Sequence, residues 1–280
     1  MAQRFEGHFQ GYDECELFFQ TWTPDSVRGT LVLTHGMAEH SECYHPVAKV
    51  LVEDGWQVYA WDLRGHGRSE GKRGYVADFS EYVKDFDRFL QMINQQAKPK
   101  TAPVLLAHSM GALVTLRYLQ SYDCKYSALV LSSPCVGLSI PVPKFKEGLA
   151  KIAYRWMPSL TLHNEIQYSD LTHLQEMQES YRRDTLRHDK ISPGLFLTMT
   201  ENFPLAIAQA DKIQNPVLEL IAGDDRLVST AAAKELYDGF TNKKNQLILY
   251  PESFHEIFND LERDKAFADI KKFINPYLGA

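Results

Sequence analysis

The chain has 280 residues, of which 44% are hydrophobic, and carries a formal net charge of −6. That length and apolar content suffice for a large buried core, and the negative balance excludes nucleic acid as the main partner. No stretch approaches the roughly 20 apolar residues of a membrane span, and Met1 to Gln10 has no apolar signal region, so a cytoplasmic protein is expected.

Strands and helices alternate through most of the chain. Glu16 to Trp22 and Gly29 to Thr34 read as strands, rich in β-branched and aromatic residues. Ser41 to Asp54 reads as a helix stopped by Gly55, and Gln57 to Trp61 as a buried strand. Asp78 to Gln95 is an amphipathic helix with Phe79, Tyr82, Val83, Phe86, Leu90 and Ile93 on one face and a capping box of Asp78 and Glu81 at its start. Val104 to Leu106, Ala128 to Leu131, Val217 to Ile221 and Leu247 to Tyr250 are short apolar strands. Ala231 to Tyr237 and Glu256 to Ile274 are helices. This alternation predicts an α/β fold: a mostly parallel central sheet with helices on both faces.

One region breaks the rhythm. Between Leu138 and Asp211 no strand is predicted, and five prolines separate helical patterns. Phe145, Leu149, Ile152 and Trp156 recur at helical spacing. Leu171, Leu174 and Tyr181 mark a second helix, and Ser192-Pro193 starts a third. The expected organisation is a core of 1–137 and 212–280, with 138–211 as a helical cap inserted over the carboxyl ends of the strands. In the first cap helix Lys144, Lys146, Lys151 and Arg155 stand against Glu147. A basic amphipathic helix of this kind suits peripheral contact with a membrane, although a solvated outer face has the same composition.

The chemistry centres on Ala107-His108-Ser109-Met110-Gly111. An apolar strand precedes it and an apolar helical stretch follows, the setting of a nucleophile elbow. Small residues must flank the serine where strand and helix nearly touch. Serine needs a base, and the base an orienting acid. Downstream, Asp225 follows the strand ending at Ile221, and His255 follows the strand ending at Tyr250. Asp224 competes with Asp225 for the same role. Ester cleavage builds negative charge on the carbonyl oxygen, which backbone N–H groups must receive. Met110 is one donor, and Met37, in the turn Thr34-His35-Gly36-Met37, is the other. These features converge on the sheet edge where open α/β sheets place ligands.

Four cysteines, Cys15, Cys43, Cys124 and Cys135, lack metal-type spacing and read as free thiols. His40, Cys43 and His45 cluster in an ordinary loop-to-helix junction, and no metal or organic cofactor is expected. His35 and His108 read as structural hydrogen-bonding groups, and Arg64 to Ser69 as a tight turn beneath the site.

His35-Gly36-Met37-Ala38-Glu39-His40-Ser41, Asp62 through Ser69, His108 through Gly111, Asp225 through Val228 and His255-Glu256 together resemble the monoacylglycerol lipase and lysophospholipase family of α/β-hydrolases. The resemblance covers nearly the whole chain. It implies Ser109 as nucleophile, Asp225 as acid, His255 as base, and the Met37 and Met110 N–H groups as oxyanion hole. It also implies a mono-acylated lipid substrate and a cap that forms the acyl channel; Phe145, Leu149, Ile152, Trp156, Leu195 and Phe196 are the candidates to line it, with some of them packing the cap onto the core instead. A short-chain carboxylesterase or thioesterase uses the same triad. A ligand receptor on the same fold is the non-enzymatic alternative.

Overall fold

The computed structural model describes residues 3–99, 101–140 and 144–279, without the side chains of Lys144, Lys146 and Glu147. In chain order the sheet strands are β1 (Gln3–Gln10), β2 (Glu16–Thr23), β3 (Gly29–Thr34), β4 (Trp56–Trp61), β5 (Val104–His108), β6 (Ala128–Ser132), β9 (Val217–Ala222) and β10 (Gln246–Tyr250). The helices of the sheet layers are α1 (His45–Val52), α2 (Ser80–Gln96), α3 (Ser109–Ser121), α7 (Thr230–Asp238) and α8 (Arg263–Ile274). Between β6 and β9 come α4 (Lys144–Trp156), β7 (Leu162–His163), α5 (Gln175–Arg183), β8 (Lys190–Ile191) and α6 (Pro193–Ala208).

The eight sheet strands lie in the order β1-β2-β4-β3-β5-β6-β9-β10. β1 pairs antiparallel with β2 and β2 with β4; the remaining neighbours are parallel. The inner strands are buried along their whole length, as parallel strands covered on both faces must be. Side chains alternate between two cores. Leu31 and Leu33 join a cluster with α1 and α8, whereas Val32 joins a cluster with α2, α3 and α6. The chain leaves β3 toward β4 on one side and returns to β5 on the other. The order therefore switches between β3 and β5, where an open sheet leaves a crevice at its carboxyl edge.

The structure departs from the sequence reading at five points. β1 was not predicted because its residues show no apolar face; of its eight residues only Phe9 is buried. The segment at Ser41 begins as a 3-10 turn, Ser41–Tyr44, and α1 starts at His45 with a proline in its first turn. Leu171 and Leu174 precede α5 rather than lying within it, and β7 and β8 form a two-residue ladder inside the insert. The last helix begins at Arg263, not Glu256, because residues 256–260 are committed to distant partners: Asp260 accepts N–H groups from Phe254 and His173, at 2.6 and 2.9 Å.

Two helix-start signals read from sequence are engaged at their helices. Ser192 caps α6 by accepting the Leu195 N–H at 3.1 Å. At α2 the two acids bind neighbouring amides, Asp78 taking the N–H of Ser80 and Glu81 that of Ala77, instead of each other's. Among the described residues no helix is long and apolar enough to cross a membrane.

Candidate active site

Ser109 stands at the junction of β5 and α3 with φ of +51°. A non-glycine residue in that region is strained, and the strain lifts the side chain out of the turn. Gly111 permits the turn, since a Cβ there would come within 2.2 Å of the His35 carbonyl oxygen and 2.5 Å of that of Thr34. Helix α3 thus rests against the end of β3 with no room for a methyl group.

Ser109 Oγ lies 2.9 Å from His255 Nε2, and His255 Nδ1 lies 2.8 Å from Asp225 Oδ2. The other Asp225 oxygen accepts the N–H groups of Leu227 and Val228, both at 2.9 Å. These bonds fix the carboxylate on its loop and, with His255, hold the Asp225 pKa below its ordinary value despite burial. Burial alone would lower the His255 pKa; the Asp225 charge and hydrogen bond outweigh it and leave it raised. Asp224, the rival acid, faces solvent and pairs with Arg226. A hydroxyl, an imidazole and a carboxylate in one row can draw the serine proton onto the ring and stabilise the imidazolium that forms.

Met37 and Met110 line the same cavity as Ser109 and His255. Met110 lies in the first turn of α3, where an N–H has no partner within the helix. The turn bearing Met37 is held from behind: the Glu39 carboxylate accepts the Gly36 N–H at 2.5 Å and the Tyr44 hydroxyl at 2.6 Å. His35 donates through Nδ1 to the Gly36 carbonyl at 2.6 Å while Nε2 accepts the Leu63 N–H at 2.9 Å. That pattern requires the neutral ring, and burial pushes its pKa down to about 3. His108 lies within 3.0 Å of the Ser132 carbonyl oxygen and is likewise pushed down to about 3, chiefly by burial. Asp62 accepts the N–H groups of Ser41 and Arg68 at 2.7 and 2.8 Å, so it braces the turn beneath the site.

The cavity over Ser109 measures about 700 Å³ and runs beneath the insert. Of the six residues expected to line an acyl channel, it includes Leu149 and Phe196. The other four are corrected. Phe145, Ile152 and Trp156 point outward from α4, exposed by 67%, 60% and 75%. Most of the bulky stripe faces away, and the flank that carries Leu149, Ala150 and Ala153 meets the cavity. Leu195 is fully buried in the core cluster; one residue further along α6, about 100° around the helix, Phe196 faces the cavity.

His40, Cys43 and His45, near one another in sequence, do not converge on one point. His45 Nδ1 receives the Trp22 indole N–H at 3.0 Å. His40 Nε2 instead meets Asp184 at 2.7 Å, and the donor atoms of His40, Cys43 and Asp184 lie within 4.8 Å of one another. Arg187 Nη2 approaches the Cys43 sulfur to 3.6 Å, and a guanidinium there opposes a divalent cation. The sequence reading assigned no role to Arg187, Glu256 or Glu39, which lie buried together beneath the Met37 turn and the His255 loop.

Comparison with known proteins gives a consistent answer. The Hydrolase_4 family profile, described as serine aminopeptidase, S33, matches residues 25–262. The monoacylglycerol lipase of Mycolicibacterium smegmatis is 33% identical over 282 aligned positions, covering 99% of each chain. Phospholipase YtpA of Bacillus subtilis is 28% identical over 261 positions, with 92% of this chain and 99% of that protein covered. The crystal structure of the Paleococcus ferrophilus monoacylglycerol lipase superposes with a TM-score of 0.83 at 29% identity, over 99% of both chains. The chain therefore belongs to the Hydrolase_4 family of α/β-hydrolases, among the monoacylglycerol lipases and lysophospholipases.

Proposed function

We propose that the chain hydrolyses the carboxylic ester of a mono-acylated lipid, a monoacylglycerol or a lysophospholipid, with Ser109 as nucleophile, His255 as general base and Asp225 as its orienting acid. The observation that carries the reading is the continuous row Asp225–His255–Ser109, at 2.8 and 2.9 Å, opening into a cavity of about 700 Å³ beneath the insert. His255 takes the serine proton as Oγ attacks the ester carbonyl, and the Met37 and Met110 N–H groups receive the oxyanion. The tetrahedral intermediate collapses, the alcohol leaves with the proton from His255, and the acyl group stays on Ser109. Water, deprotonated by the same ring, then releases the fatty acid.

Apolar side chains on the cavity wall, among them Leu138, Leu149, Ile191, Phe196 and Met199, support an acyl chain as occupant. Acids on the wall are already engaged: Asp170 with Arg226, Asp189 with Lys190 and His163. This favours a neutral ester over a peptide with a free ammonium. Residues 138–211 act as the cap that walls this channel. Its outer face, with Phe145, Ile152, Trp156 and Met157 exposed, suits contact with the lipid surface that delivers the substrate. Lys151 and Arg155 flank that stripe, while the side chains of Lys144 and Lys146 lie outside the described residues.

The test is hydrolysis by the wild type and Ser109→Ala across a chain-length series of monoacylglycerols and lysophosphatidyl lipids, beside short p-nitrophenyl esters. Turnover of long mono-acyl lipids that vanishes in the variant is expected. Activity confined to short esters would make the protein a carboxylesterase and refute the acyl channel. For the outer face, Phe145→Ser with Trp156→Ser should weaken binding to lipid vesicles while sparing turnover of soluble esters; unchanged vesicle binding would remove the membrane contact.

A further inference from the structure

The row at Ser109 depends on two loops, and each loop holds a buried carboxylate close to its working group. Glu39 lies two residues beyond Met37, and Glu256 directly follows His255. Glu39 fixes the peptide leading into Met37 through the Gly36 N–H. Glu256 accepts the Tyr181 hydroxyl at 2.5 Å and the Asn259 amide at 2.9 Å. One guanidinium stands between the two. Arg187 Nη1 donates to Glu256 Oε1 at 3.1 Å, and Nη2 lies 3.6 Å from Glu39 Oε2. The Arg187 side chain is only 3% exposed, and its guanidinium carbon sits 3.8 Å from the centre of the Tyr181 ring.

Arg187 belongs to neither loop; it comes from the insert, between α5 and β8. Its neighbours bind the same oxyanion turn. Asp184 meets His40 at 2.7 Å, and the His188 N–H reaches the Ala38 carbonyl at 3.2 Å. The insert also grips the other loop, where the Glu256 N–H donates to the Leu171 carbonyl at 2.9 Å. Two buried carboxylates repel each other, and a shared cation makes both tolerable. Burial would raise Glu256, but Arg187 holds it below its ordinary value, whereas burial and the Glu256 charge push Glu39 above its own.

We infer that Arg187 is a positioning residue for hydrolysis, tying the insert to both the Met37 turn and the His255 loop and setting the spacing between oxyanion donors and base. It touches no reacting atom. The inference rests on the assignment of Ser109, His255 and Met37 given above.

The experiment compares Arg187→Met, Arg187→Lys and the double variant Arg187→Met with Glu256→Gln on a soluble p-nitrophenyl ester. Sites are titrated to completion with a fluorophosphonate, so that turnover is counted per competent serine. For Arg187→Met, kcat per site should fall about a hundredfold, the cost of roughly 1 Å of misplacement. KM should stay within about threefold, because oxyanion contacts act in the transition state. The double variant, with one stranded charge removed, should recover about tenfold. Lysine keeps the charge but loses the planar fork, and should fall between wild type and methionine. Per-site kcat within about threefold of wild type in Arg187→Met, or a loss wholly in KM, would overturn the inference. If Arg187→Met does not fold, the lysine and double variants decide by the same measure. A wild type that fails to label would overturn the assignment of Ser109 and this inference with it; a labelled wild type with an unaffected Arg187→Met sinks this inference alone.

Discussion

Gly111→Ala tests the elbow at its tightest point. The added methyl would lie 2.2 Å from the His35 carbonyl oxygen and 2.5 Å from that of Thr34, where ordinary contact begins at 3.4 Å. Both obstacles are backbone, so no side chain can swing away, and α3 must part from β3 by about an ångström. Overpacking of this kind costs about 1–3 kcal/mol, which lowers the melting temperature by several degrees in a chain of this size. The functional effect exceeds the stability effect. Ser109 rides on α3 and Met37 follows β3, so the same displacement opens the gap between Ser109 and the Met37 N–H, the proposed nucleophile and oxyanion donor. About 1 Å of misplacement costs about a hundredfold in rate. The assay pairs thermal unfolding with kcat on a soluble ester, measured well below the variant's melting temperature. Full turnover with an unchanged melting temperature would show that the contact between β3 and α3 does not set the site.

Asp225→Asn should lower kcat by about 10³- to 10⁴-fold without unfolding the protein, while Asp224→Asn, at an exposed position, should leave it within about twofold; equal losses would mean that the acid is misassigned. The same variant predicts a pH effect: the base works neutral, and Asp225 keeps the His255 pKa above its ordinary value, so the acid limb of kcat/KM should move to lower pH when the charge is removed. Glu219→Leu should stabilise the fold. Glu219 is fully buried on β9 with both carboxylate oxygens unpartnered among the described residues, and burial followed by the Asp238 charge raises its pKa well above the ordinary value. The stability that goes with its protonated form is complete below the ordinary carboxyl pKa and is lost as pH rises through the folded value. The gain from leucine, about 1–3 kcal/mol, should therefore be larger at pH 8 than at pH 5 by thermal unfolding; an equal gain at both would refute the titration argument.

The central sheet was legible because its buried strands are short apolar runs bounded by turn residues, and the helices between them carry a clear 3.6-residue period. The meeting of Ser109, Asp225 and His255 was legible for a related reason: each follows a strand end, and a parallel sheet brings strand ends to one edge. The edge strand β1 gave no signal, since its partner supplies backbone hydrogen bonds and most of its side chains meet solvent on both faces. The helical period of α4 was read correctly, but amphipathicity does not say which side is the core. The large stripe Phe145–Leu149–Ile152–Trp156 is mostly exposed, and the small residues Ala150 and Ala153 face the cavity. Arg187 was illegible for a different reason. It sits in a run of charges, Arg182-Arg183-Asp184 through Lys190, that reads as a solvated surface. Only the fold brings it to Glu256, 69 positions away.

Topology explains why that distant arginine matters. The Met37 turn follows β3, Ser109 follows β5, Asp225 follows β9 and His255 follows β10, all at the same edge of the sheet. The insert leaves the sheet after β6 and returns at β9. It therefore emerges at the carboxyl edge, beside every loop the chemistry uses, and cannot cover the cavity without also touching those loops. Its contacts with the Met37 turn and the His255 loop make it part of the frame of the site as well as its roof. The outer face of α4 lies apart from the row at Ser109, whereas Tyr181 and Arg187 meet Glu256 beside His255, and Asp184 meets His40 beyond the Met37 turn. On the proposed function, substrate range and catalytic power should therefore be separable within one insert, by which of its faces is altered.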